Sequence, residues 1–137
     1  MTSQETATAF YHACESGKGW EGCREHCHDG ATFSAQSGAI AEIDTLEGYC
    51  EWMKGLLTIL PDGSYDLKST AMDVANDKVT FFGVFSGTHT AEGGPVPPTG
   101  KKAEADYVYV ADMKDGKVAH VTKIWNDGWT LQQLGWA

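Results

Sequence analysis

KAEADYVYVADMKDGKVAHVTKIWN, residues Lys102–Asn126, is two runs of alternating apolar and polar residues joined by Asp115-Gly116. A period of two places successive side chains on opposite faces of a pleated ribbon, so the runs predict half-buried strands over Lys102–Met113 and Lys117–Asn126. Asp-Gly between them is a tight hairpin signal, because both central residues of the favoured turn need a positive φ. Upstream, Ser64–Val74 and Val79–Thr90 repeat the pattern around Asn76-Asp77. Connections this short join antiparallel neighbours, since a parallel crossover needs a dozen or more residues.

N-terminal to the strands the period changes to helical. Ala7, Phe10, Tyr11 and Cys14 share a face of a helix over Glu5–Ser16, which Thr2 and Glu5 begin as a capping box and Gly17 and Gly19 end. Trp20, Cys23 and Cys27 predict a second, shorter helix before a turn at His28-Asp29-Gly30, followed by a short strand over Ala31–Ala35. The third helix is the clearest. Asp44 and Glu47 read as its capping box, Leu46, Tyr49, Cys50, Met53, Leu56, Leu57 and Leu60 as its apolar stripe, and Pro61-Asp62-Gly63 as its stop. Helices gathered first and strands afterwards predict an α+β fold in which the three N-terminal helices cover one face of the sheet. Residues 1–137 are the size of one domain, and Trp129, Leu131, Leu134 and Trp136 predict that the C-terminus also packs down.

Nineteen acidic against ten basic side chains give a formal charge of −9, a surface that repels polyanions, so nucleic acid is not an expected partner. No run approaches the ~20 apolar residues of a membrane span, and Met1-Thr-Ser-Gln-Glu5 lacks the basic and apolar regions of a signal peptide. A cytoplasmic location is therefore expected, with Cys14, Cys23, Cys27 and Cys50 as reduced thiols. His12, His26 and His28 lie near three of these cysteines, but the spacing matches no metal motif. Cys14, Cys23 and Cys27 fall on apolar stripes, so no metal site is expected. Nucleotide-binding loops, nucleophile elbows and paired-carboxylate motifs are absent as well, which leaves cofactor-free chemistry or binding.

Four segments, Gly87-Thr-His89-Thr90, Val96-Pro-Pro-Thr-Gly-Lys101, Asp115-Gly-Lys-Val118 and Gln133-Leu-Gly135, resemble the SnoaL-like polyketide cyclases in order and spacing. That family belongs to the nuclear-transport-factor-2-like superfamily. The resemblance implies a strongly curved mixed or antiparallel sheet that closes with the helices into a cone around an internal pocket. It also implies a homodimer formed through the outer sheet face. The positions at which the cyclases keep an acid/base Asp and its neighbouring His fall on Lys123 and Tyr109. A lysine cannot act as a carboxylate base, and a phenol with a pKa near ~10 is a poor base at neutral pH.

Lys123 shares a strand face with Val121 and Trp125. If the hairpin closes through Lys114-Asp115-Gly116 with a bulge, Tyr107 faces Lys123 with Tyr109 nearby, whereas a two-residue loop puts Val108 there. The bulged register is expected, because it gathers Tyr107, Tyr109, Lys123 and Trp125. Lys123 then reads either as a base or imine-forming amine, or as a structural ammonium paired with Asp106 or Asp127. Asp127 reads as a third catalytic candidate or as a rim or capping residue. Tyr107, Trp125, His89, Trp52 and Tyr11 are candidate substrate contacts, with core packing or, for His89, loop anchoring as the alternative. Two functions remain open: a cofactor-independent lyase or isomerase acting on a small carbonyl or hydroxy compound, and a non-catalytic small-molecule-binding or dimeric assembly module.

Overall fold

The structure, a computed structural model, describes residues 1–137. Five strands form one sheet: β1 (Cys27–Ala35), β2 (Ser64–Asp73), β3 (Lys78–Thr88), β4 (Lys102–Lys114) and β5 (Lys117–Trp125). Their order is β1-β5-β4-β3-β2. The two hairpins and the β3–β4 pair are antiparallel as expected, but β1 runs parallel to β5, so the sheet is mixed. β1 begins at Cys27, and His28-Asp29-Gly30 continues the strand instead of turning; the register with β5 shifts between Cys27 and Thr32.

Helices α1 (Ser3–Glu15), α2 (Gly19–Cys23) and α3 (Leu46–Ile59) come from the N-terminal half, and α4 (Asp127–Leu134) follows β5. The α1 capping box forms as read, with Thr2 Oγ1 accepting from the Glu5 N–H and Glu5 Oε1 from the Thr2 N–H. For α3 the cap is Thr45, one residue later than expected, and its Oγ1 accepts from the Gly48 N–H at 3.0 Å. The Asp44 carbonyl accepts from the Phe33 N–H, which ties that residue to β1 and moves the helix start forward. The second helix is shorter than expected, because Arg24–His26 tightens into a 3₁₀ turn that delivers the chain into β1. The packed C-terminal tail is helical as α4, and Asn126 caps it by accepting from the Trp129 N–H.

The core lies between the inner sheet face and the helices. Ala7, Phe10, Tyr11 and Cys14 of α1 and Leu46, Tyr49, Cys50 and Met53 of α3 meet Phe81, Tyr107, Tyr109, Ala111 and Val121 of the sheet. The β4–β5 hairpin fixes what reaches that face. Its loop is the two-residue Asp115-Gly116 turn, with φ of 51° and 78°, and Lys114 pairs with Lys117. A bulge further along, between the Met113–Val118 and Asp112–His120 pairs, leaves Ala119 extra and shifts the register by one. Tyr109 therefore stands opposite Lys123 and Tyr107 opposite Trp125, which corrects the expected Tyr107–Lys123 pairing. The four residues still share the inner face, as expected, because the bulge restores the parity that the short turn would have broken.

Candidate active site

Lys123 reaches inward from β5 and is only 7% exposed. Its Nζ lies 4.5 Å from the Trp125 ring centroid, 5.0 Å from Tyr49, 5.3 Å from Trp52, 5.6 Å from Tyr107 and 5.9 Å from Tyr109. Five electron-rich rings around one ammonium replace part of its lost hydration. No carboxylate oxygen lies within 4.0 Å of Nζ; every such ion pair in the chain is elsewhere. Asp106 is exposed, and Asp127 Oδ2 accepts from the Ala39 N–H at 2.8 Å, so neither expected partner pairs with the amine.

The partner is Glu15, the last residue of α1, and it is reached through two phenols. Lys123 Nζ donates to Tyr49 Oη at 2.9 Å, Tyr49 and Tyr109 share a 2.5 Å hydrogen bond, and Tyr109 Oη donates to Glu15 Oε1. With Glu15 accepting at one end and Lys123 donating at the other, every hydroxyl in the chain donates toward the carboxylate. If each proton moves one place along, the ends become a neutral amine and a carboxylic acid with every phenol intact.

Burial sets the two ends against their ordinary states. It pushes the Glu15 carboxyl above the usual carboxylate range, opposed by the Lys123 charge and by hydrogen bonds from Tyr109 and Tyr107. It pushes Lys123 down to about 8, opposed by the Glu15 charge. Burial and the Glu15 charge together hold the Tyr49 and Tyr109 phenols well above their usual value, so they stay protonated and serve as conductors.

A cavity of about 310 Å³ opens against this chain, within the range from which small-molecule sites are built. Glu15, Trp52, Tyr107, Lys123 and Trp125 line it together with apolar residues of α3, α4 and the sheet. Of the residues read from the sequence, the structure thus brings Lys123, Tyr107, Trp125 and Trp52 to one cavity. Tyr109 sits behind the wall as a link in the chain. Tyr11 is fully buried with its Oη 2.6 Å from that of Tyr107, one layer away from the cavity. Gly83 makes that layer possible, since a Cβ there would lie 2.6 Å from Tyr11 Oη and 2.8 Å from Tyr107 Oη.

His89 and Asp127 are not among the lining residues. His89 is fully buried, and its Nδ1 accepts from Trp136 Nε1–H at 2.9 Å and from the Thr99 N–H at 3.3 Å, fastening the Pro-rich loop to the C-terminus. Its Nε2, which must then carry the ring proton, has no partner.

Glu15 and Tyr49 were not singled out in the sequence. Tyr49 read as one more apolar-stripe residue. Glu15 had a visible sign: it follows Tyr11 by four, which places an acid on the buried face of α1.

The mixed curved sheet, the covering helices and the enclosed acid–amine cavity define a nuclear-transport-factor-2-like cone. The chain belongs to the SnoaL-like polyketide cyclase family, whose model matches residues 5–134. Similar solved structures include AclR of Streptomyces galilaeus, described as a candidate hydroxylase (21% identity, 98% of this chain and 85% of that one, TM-score 0.78). Another is IdmH of Streptomyces antibioticus, described as a candidate polyketide cyclase (24%, 98% and 99%, TM-score 0.76). A third is a Catenulispora acidiphila protein of ketosteroid isomerase-like fold in complex with trimethylamine (15%, 100% and 96%, TM-score 0.71). At these identities the likeness is one of fold. No curated protein matches the chain. No helix is long and apolar enough to cross a membrane.

Proposed function

We propose that the chain is a cofactor-independent, cyclase-like lyase or isomerase acting on a small, partly apolar carbonyl or hydroxy compound. The observation that carries this reading is the hydrogen-bonded path joining Glu15 to Lys123, with both ends on the wall of one cavity. A carbonyl oxygen seated against the Lys123 ammonium would place a neighbouring carbon toward Glu15. The carboxylate removes a proton from that carbon, and the ammonium stabilises the enolate oxygen in a site from which water is largely excluded. Returning the proton at a different atom isomerises the substrate, while expelling a leaving group or closing a bond completes a lyase or cyclase reaction. A carboxyl raised by burial is a stronger base than an exposed one once ionised, which is the direction this step requires. Trp52, Trp125 and Tyr107 supply flat walls, and Tyr109 transmits the proton state of one end to the other.

The test is deuterium exchange into the α-carbons of a panel of small ketones and hydroxy ketones in D2O, followed by NMR. Wild type, Glu15→Gln, Lys123→Ala and Tyr49→Phe are compared. Loss of exchange by about 10²-fold or more in Glu15→Gln is expected, and equal exchange in all four proteins would sink the assignment. The lowered Lys123 pKa supports a second route, an imine between its neutral amine and the carbonyl, which borohydride trapping and mass spectrometry distinguish. A non-catalytic binding module would instead show ligand-dependent thermal shifts without exchange or product. The homodimer implied by the family resemblance is proposed as well; its support is the apolar row Phe82–Val108–Ile124 across the outer sheet face, where Ile124 is 60% and Phe82 36% exposed.

A further inference from the structure

Three thiols come together where the three N-terminal helices meet. Cys14 of α1, Cys23 at the end of α2 and Cys50 of α3 hold their Sγ atoms within 4.8 Å of one another, and all three are fully buried. Cys14 and Cys50 adjoin Glu15 and Tyr49 in sequence, so the triangle backs onto two members of the proton path. Cys27, the fourth cysteine, stays outside, with its Sγ donating to the Cys23 carbonyl at 3.4 Å.

We propose that Cys14, Cys23 and Cys50 form a three-coordinate site for a soft d¹⁰ cation, of which Cu(I) is the representative. A metal about 2.3 Å from each sulfur of a planar set leaves the sulfurs about 4.0 Å apart, a modest contraction from the spread seen here. Three sulfurs and no nitrogen or oxygen donor select a soft ion. Zinc in a structural site takes four ligands, and the triangle has no fourth protein ligand and no exposed edge for water. Each sulfur that ligates gives up its proton to solvent, and no electron is transferred. Entry goes through α2, a five-residue helix that starts at Gly19, two residues after Gly17, with both glycines at positive φ, and that ends in a 3₁₀ turn; such short elements open locally at low cost.

The probe is Cu(I), supplied anaerobically as its acetonitrile complex to the reduced full chain in competition with bicinchoninate. One Cu(I) per chain is expected, with X-ray absorption showing a shell of three sulfurs at about 2.3 Å. Cys27→Ser should retain this binding and Cys23→Ser should lose it. Failure to withdraw Cu(I) from bicinchoninate, a two-sulfur or nitrogen/oxygen shell, or full retention by Cys23→Ser would each overturn the proposal. Should Cys23→Ser not fold, the absorption spectrum of the unaltered chain decides alone.

Discussion

Replacing Lys123 by Met keeps the side chain as far as Cε in its aromatic surroundings and removes the one buried amine. In the folded chain the amine gives up its proton near pH 8, while in the unfolded chain it does so near 10.5. Between those values the unfolded state holds one more proton than the folded state, so stability rises with pH across that window. Below pH 8 both states are charged, and the folded state carries the whole burden, about 3 kcal/mol for the drop from 10.5 to about 8. Going from pH 7 to pH 10 recovers about 2.5 kcal/mol of it. The other titrating groups, including the buried tyrosines, are common to wild type and Lys123→Met, so their contributions largely cancel in the difference. Urea unfolding at several pH values, with the slope checked for constancy, therefore should show wild type gaining about 2.5 kcal/mol on the variant between pH 7 and 10. Adding Glu15→Gln to both proteins removes the charge that favours the ammonium, and the gain should move to lower pH. Parallel pH curves for wild type and Lys123→Met, within about 0.5 kcal/mol, would mean that the amine stays charged throughout. The account of a desolvated ammonium would then be wrong.

Gly83→Ala places a methyl against two hydroxyls 2.6 and 2.8 Å away and should destabilise the chain by about 1–3 kcal/mol; unchanged urea unfolding would show that Tyr11 and Tyr107 move aside freely. Ile124→Asp on the outer face should convert a dimer to a monomer in light scattering while circular dichroism stays unchanged. A wild-type chain that is already monomeric at high concentration removes the basis of that expectation.

The hairpin stretch carried most of the fold because a period of two and an Asp-Gly turn are local properties. Its register was harder to read, since a bulge can sit anywhere along a strand without changing the turn. One trace was present: Val118 and Val121 are both buried but three apart, so strict alternation must fail between them, and Ala119 is where it fails. The parallel pairing of β1 with β5 had no local sign, because it joins segments about 90 residues apart and no turn encodes it. Lys123 was legible as a charge among inward-facing apolar neighbours on β5. Its partner was not, because Asp106 and Asp127 were near in sequence whereas Glu15 arrives from the other end of the chain. The three-thiol triangle was hidden for the same reason, being assembled from three helices.

The separation of the two charges is what makes the site chemically useful. A direct Lys–Glu contact would satisfy both groups at once and leave little for a substrate to engage, and a buried pair of that kind contributes little net stability. Here two phenols intervene. The ammonium has three N–H donors and spends one on Tyr49, with only aromatic faces around the others. The Glu15 carboxylate accepts from Tyr109 through Oε1, and a carboxylate has lone pairs left for a further donor. Donor capacity at one end and acceptor capacity at the other both border the cavity, and the path between them lets a change of charge at one be answered at the other. Because the chain supplies its own cation to the aromatic cluster, the remaining space suits a neutral or anionic oxygen-bearing ligand and disfavours an amine. A ligand screen should separate these classes by thermal shift, with enolisable ketones and carboxylates raising Tm and alkylammonium ions of the same size leaving it unchanged; stabilisation by the ammonium series alone would contradict the assignment of charge in this cavity.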